Sequence, residues 1–278
     1  YDVKVTATTG RIDFNAADDP LKLIDIKQWG TCEWTGMDNA FSGCTSLTSV
    51  TATDAPNLSN ITDLSDMFWK CRLSNADFSN WDVSNITNTS LMFSSNGANG
   101  TINLSNWDVS NVTNMYAMFY DCSTLQITGI DNWNTESLVN VKEMFKSTSL
   151  LDISFANWNI NSITNATGFM SGTPPPSLST ANYDATLISW ASQAPQSNII
   201  IDFGDSQYSC DAEAARDTLI NTSGWTIIDG GNESPNILTY DDNGSVSGVI
   251  PLDSNEYGCN DIATILGNTG NLSKPCFI

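Results

Sequence analysis

The side chains of this sequence that could do chemistry are carboxylates and thiols, because the chain has no histidine. That absence removes Ser-His-Asp triads, Cys-His nucleophiles and every histidine-based zinc site at once. A carboxylate pair survives as an expectation: Asp77, Asp131 and Asp152 fall on an expected strand surface, where two acids could flank a glycosidic bond. Against it stand 31 Asp and Glu, since acids spread over an acidic surface are ordinarily just solvated. Cys44, Cys71 and Cys122 share one slot of a recurring segment, filled elsewhere by Asn96, Thr148 and Thr173. Two readings stay open there, a buried small thiol or a disulfide between adjacent segments. Cys32 and Cys210 stand apart, with no metal ligands beside them. "GANG" and "DGGN" lack the lysine and the strand-to-helix setting of a phosphate loop. "YDDNGS" lacks the alternating oxygens and terminal glutamate of a calcium loop, so it reads as a surface turn. No cofactor is expected beyond loosely bound calcium.

What must position these groups is a repeat. Trp81, Trp107, Trp133 and Trp158 are 26, 26 and 25 residues apart, and Phe93, Phe119, Phe145 and Met170 each follow twelve residues later. Upstream, Trp29 and Phe41 keep the same interval, and Phe68 has Pro56 in the tryptophan slot, which makes six copies. Two further slots hold Thr31, Leu58, Val83, Val109, Thr135 and Ile160, then Trp34, Ile61, Ile86, Val112, Leu138 and Ile163. A small coil needs only a few large inward side chains, and its polar residues serve turns and face water. Tryptophans in identical register read as a core ladder rather than as sugar platforms.

With 10 Lys and Arg against 31 Asp and Glu, the formal charge of −21 repels phosphate backbones and anionic lipid surfaces. Nucleic acid is therefore an unfavoured partner. No run of eighteen apolar residues and no charged-then-apolar amino terminus occurs, so neither membrane insertion nor an uncleaved signal peptide is expected. The Asn-, Ser- and Thr-rich composition suits a secreted protein.

Period-two alternation before each anchor predicts a short strand per copy, and "MYAMFYDC" or "VKEMFKST" predicts a short helical turn between strands. The expected fold class is thus an α/β repeat solenoid, leucine-rich-repeat-like, with short parallel strands stacked one per coil of 25–27 residues. "SGTPPPSLST" ends the period. Beyond it, helices in "ANYDATLISWASQ" and "DAEAARDTLIN" and strands in "NIIIDF" and "WTIID" predict a β-α-β cap. The expected organisation is an N-terminal strand or cap over 1–19, the six-copy array over 20–176, the cap over 177–231 and a small β-rich module over 237–278.

These motifs carry a resemblance. "NWDVSNVTNM…MF…C", over about residues 20 to 172, resembles the 26-residue repeat of bacterial surface proteins, a relative of the BspA-type leucine-rich repeats. "NYDATLISWA", "YSCDAEAARDTLI" and "GWTIIDGG" resemble the segment that closes such arrays. Residues 237 to 278, with "LTYDDNGSVSGVIP" and "ILGNTGNLSKPCFI", resemble the start of a Listeria–Bacteroides repeat of the internalin B type, without its aromatic Gly-Trp segment. The resemblance implies a piece of a longer modular chain, displayed on or secreted from a bacterial cell, that adheres to an extracellular protein or polysaccharide. Cys259 and Cys276 replace the more usual Pro or Gly of that module, and the two departures together imply a linked pair.

If residues three and five before each anchor point inward, those two, four and six before it point out. The candidate ligand face is therefore Asn75, Asp77 and Ser79; Thr101, Asn103 and Ser105; Ile127, Gly129 and Asp131; Asp152, Ser154 and Ala156. It is small, polar and mildly acidic, with Ile127 its one apolar member. A non-catalytic binding domain is the leading expectation, a spacer or stalk the second, and a carboxylate-based glycan-active enzyme the last.

Overall fold

The computed structural model describes residues 9–14, 20–148, 152–172, 175–233, 236–240 and 246–251. Its strands and α-helices are, in chain order, strands β1 (Thr9–Arg11), β2 (Asp25–Ile26), β3 (Glu33–Gly36), β4 (Ser49–Val50), β5 (Ala76–Asp77), β6 (Gly100–Asn103) and β7 (Leu125–Thr128), helix α1 (Thr180–Ala191), strand β8 (Ile200–Asp202), helix α2 (Cys210–Asn221), and strands β9 (Thr226–Ile228), β10 (Asn236–Tyr240) and β11 (Val246–Pro251). The strands form five small sheets: parallel pairs β1-β3, β2-β4 and β8-β9, the parallel triplet β5-β6-β7, and the antiparallel pair β10-β11.

This corrects the expected α/β, leucine-rich-repeat-like solenoid. Among the described residues the strands fall into separate small sheets rather than one ladder with a strand per copy, and the only two α-helices lie at 180–191 and 210–221. No helical turn forms where "MYAMFYDC" and "VKEMFKST" predict one, and the reason is a backbone alternation. Leu91, Ser95, Ala117, Asp121, Glu143 and Ser147 all adopt left-handed φ between 50° and 60°, a conformation that breaks a right-handed helix and costs a non-glycine residue roughly 1–2 kcal/mol.

The alternation directs hydrogen bonds. Leu91, Phe93 and Ser95 donate their N–H groups to the carbonyls of Tyr116, Met118 and Tyr120 in the following copy, at 2.7–3.0 Å. The residues between them, Met92 and Ser94, donate back to Thr89 and Leu91 within their own copy at 3.2 and 3.0 Å. Ala117, Phe119 and Asp121 repeat the pattern toward Lys142, Met144 and Lys146. A helix would spend all these donors on itself. Here every second one leaves the copy, so each left-handed residue is offset by bonds worth about 1 kcal/mol each.

The core sits inside these turns. Phe41, Phe68, Phe93, Phe119 and Phe145 are buried and stack face to face at 5.4–5.8 Å, and Trp81, Trp107, Trp133 and Trp158 stack at 6.3–6.5 Å. Pro56 lets Trp29 and Trp81 touch edge to face at 5.2 Å across it. Three of these indoles also have a fixed acceptor: Trp107, Trp133 and Trp158 donate Nε1–H to the carbonyls of Phe78, Leu104 and Ile130, three residues before the preceding anchor. Trp190 of α1 does the same to Phe155, at 2.9 Å. In the first copy Cys32 is buried and Thr31 exposed, so the inward slot falls one residue later than the interval predicts.

Trp107→Ala removes ring stacking on both sides and the bond to Phe78. We expect a loss of about 3–5 kcal/mol in urea unfolding. A loss below about 0.5 kcal/mol, typical of surface positions, would mean that the ring is not part of the packed interior.

Candidate functional site

Two hydrogen-bonded columns run from copy to copy. The first is inside the turn segment: Asp63, Asn88, Asn114, Asn140 and Asn165 are joined by successive parallel bridges. Asn88, Asn114 and Asn140 each donate Nδ2–H to the Oδ1 of the preceding member, at 3.0, 2.9 and 3.0 Å. Each Oδ1 also accepts the N–H two residues on, from Ser65, Ser90, Tyr116 and Lys142. These amides are spent on structure.

The second column is the expected ligand face. Asn75 Oδ1 accepts from the Thr101 N–H at 3.3 Å, and the Thr101 hydroxyl donates to Gln126 Oε1 at 3.4 Å. Asp77 Oδ1 accepts from Ser79 N–H and Asn103 Nδ2 at 2.9 and 3.1 Å, and Asn103 Oδ1 accepts from the Ser105 N–H. Asn75 and Asp77 are exposed, Thr101 and Asn103 half-buried. Asp131 accepts from Asn132 at 2.7 Å, and Asp152 is exposed and accepts from the Ser179 N–H and Asn182 Nδ2, both at 2.9 Å.

Ile127 does not belong to this face. It pairs with Ile102 and is only 5% exposed. The cause is one residue between β7 and its anchor: Gly129, with φ +85°, makes a bulge. A Cβ there would sit 2.2 Å from Ser105 Cα, so only glycine fits, and the strand before it shifts by one residue and turns Ile127 inward.

The electrostatics of the face follow from its hydrogen bonds. Ser79 and Asn103 hold the Asp77 carboxyl below its ordinary range, and the Ser179 N–H and Asn182 do the same for Asp152. Neither acid is tuned toward a proton-donor role by this arrangement. The thiols move the other way. Burial pushes Cys44 up to about 11 and Cys122 up to about 12, so both stay neutral at physiological pH. Cys32, Cys44, Cys71 and Cys122 are free thiols, so adjacent copies are not bridged at this slot. In three copies the slot supplies a small donor: Cys71 and Cys122 donate Sγ–H to the carbonyls of Phe41 and Phe93, and Thr148 donates its hydroxyl to Phe119 at 2.6 Å. Cys210, at the start of α2, is disulfide-bonded. Cys259, Cys276 and most of "YDDNGS" lie outside the described residues.

In the closing unit, Arg216 pairs with buried Asp229 at 2.8 and 3.1 Å, and Tyr183 donates its hydroxyl to the same carboxylate at 2.7 Å. The Gly231 N–H adds a fourth bond. A carboxylate so saturated orders the cap and has little capacity left for a ligand. Among the described residues no cluster of three acids, cysteines or histidines is placed to hold a metal ion, and no helix is long and apolar enough to cross a membrane.

Structure and periodicity together define a protein of tandem copies joined by turn and side-chain ladders. The model of the family described as "Mycoplasma protein of unknown function, DUF285" matches residues 13–100, 35–127 and 96–186, three overlapping stretches that together cover more than half of the chain. The chain belongs to this family. Comparison with curated proteins and with solved structures gave no match.

Two outcomes follow. Cys122→Thr keeps a donor to Phe93, as Thr148 does to Phe119, and should leave urea stability nearly unchanged. Cys122→Val removes it and should cost about 1–3 kcal/mol; equal stability of the two variants would show that the bond does not matter. An NMR titration should find Asp77 titrating below the ordinary aspartate value of about 3.9, and Ser79→Ala should move it upward. Because the folded value is depressed, the stability it contributes is present above the unfolded value and is lost as pH falls through the folded one.

Proposed function

We propose that this chain is a non-catalytic repeat domain of a bacterial cell-surface or secreted protein, related to the BspA-type repeats, that binds an extracellular protein or polysaccharide. The observation that carries this reading is the second column. Asn75, Thr101 and Gln126, and beside them Asp77 and Asn103, present hydrogen-bonding groups on one outward face across successive copies. An extended ligand can engage such a face through many weak contacts, each modest and together sufficient.

A spacer or stalk is the second reading, favoured by a specific feature of the same column. Its side chains bond chiefly to one another, and each bond made within the face reduces what is left for a ligand.

The test is a binding screen of the domain against immobilised matrix proteins and polysaccharides, followed by a combined Asp77, Asn103 and Asp131 to Ala variant. Binding should be lost while the melting temperature moves by no more than a few degrees, because the three residues are at least partly exposed. Undiminished binding would move the site to the turn segments or the closing unit. Retention on no ligand at all would favour the spacer.

A further inference from the structure

Beside the column a shallow depression of about 480 Å³ opens, lined by Thr45, Thr48, Arg72, Ser74 and Asn99 among others. A second, of about 270 Å³, continues from Asn99 past Thr101 to Thr124 and Gln126. Sharing Asn99, the two make one trough across several copies. In a chain with 31 acids, none lines either part, and Arg72 is the one charged residue in the lining.

The backbone of the trough is pinned from copy to copy. The Arg72 N–H donates to the Leu47 carbonyl at 3.0 Å, and the Ser74 N–H to Thr48 at 2.9 Å. A Cβ on Gly100 would meet Ser74 Cα at 2.7 Å, so the strands approach here as only glycine allows. Several hydroxyls are committed to this frame: Ser74 and Thr124 donate to the carbonyls of Thr48 and Ala98. Arg72 is not. Among the described residues its guanidinium makes no hydrogen bond, ion pair or ring contact. An exposed arginine that stays unpaired in a protein of net charge −21 leaves five donors facing solvent.

We propose that this trough is a binding site for a carboxylate-bearing oligosaccharide, of the uronic acid class, with the carboxylate on Arg72. The proposal rests on the binding function above and names its ligand chemistry. Guanidinium and carboxylate match as a two-point fork. Hydroxyls and amides around it, at Thr45, Asn99 and Gln126, suit ring hydroxyls, whereas the lining holds no apolar side chain larger than that of Ala98 to pack against an acidic peptide. The overall negative charge does not forbid an anion. At about 0.15 M salt the screening length is about 8 Å, so a ligand in the trough responds chiefly to its acid-free lining.

Calorimetric titration with trigalacturonic acid decides the matter, with its methyl ester and a triglutamate peptide as controls. The wild-type chain should bind the acid saturably and the ester at least tenfold more weakly. Arg72→Gln should weaken binding of the acid at least tenfold with an unchanged thermal melt, and Arg72→Lys, which keeps the charge without the fork, should fall between. No saturable binding at millimolar trigalacturonate, or equal binding by Arg72→Gln, overturns the proposal. Equally tight triglutamate binding would make the trough a peptide carboxylate site and overturn the glycan assignment. If a ligand found in the screen is still held by Arg72→Gln but lost by the Asp77, Asn103 and Asp131 variant, the trough fails while the binding function stands.

Discussion

Everything in the array depends on where the turn segment sends its backbone N–H groups. Alternate donors at Leu91, Phe93 and Ser95 leave their own copy for the next, and the left-handed conformations at Leu91 and Ser95 allow this. Once those bonds are set, the remaining registers follow. Phe93 stacks on Phe119 because their backbones are already tied through Met118, and Asn88 meets Asn114 because Thr89 N–H has found the Asn114 carbonyl. Side-chain ladders of this kind reinforce a spacing that the backbone sets. The small sheets are secondary to it, since β5 and β6 share only two paired residues while the turn bonds recur copy after copy.

The inward positions were legible because volume is periodic. A copy that must match its neighbours can vary a large residue only within narrow limits, so Val83, Ile86 and Phe93 recur as Val109, Val112 and Phe119 and all are buried. The two cap helices were legible for a related reason, with Leu187 and Trp190 on one face of α1. What misled was the turn. "MYAMF" has helical apolar spacing, yet Ala117 carries φ 50°, and an alanine gives no hint that its backbone is left-handed. A glycine at that position would have signalled it, as Gly168 does in the last copy.

Legibility of the candidate face divides the same way. Asp77 and Asn103 were placed outward correctly by alternation, because β5 and β6 keep their phase to the anchor. Ile127 was misplaced because a one-residue bulge reverses alternation, and Gly129 was the available signal for it. The asparagine column had a clearer signal that went unread: the same amide occurs at Asn88, Asn114, Asn140 and Asn165. An amide, which both donates and accepts, can pair with a copy of itself indefinitely, and Asp63, which can only accept, stands at the end of the column, where it accepts from Asn88 and has no preceding member to donate to.

The same logic separates structural polar groups from those free to serve a ligand. Where copies are hydrogen-bonded to one another, any side chain that bonds its equivalent in the next copy is constrained by that neighbour. A side chain without such a partner is set only by what surrounds it. Asn114 belongs to the first kind, with Asn88 before it and Asn140 after it. Arg72 belongs to the second: the lining around it places Thr45 and Ser46 in one neighbouring copy and Gly97 in the other, and no acid answers its charge. Leaving a guanidinium in water costs little, so stability alone does not call for a partner. Equally, stability does not call for an arginine there, and a charge that contributes nothing to the ladder is where a binding role can be accommodated without disturbing the stack.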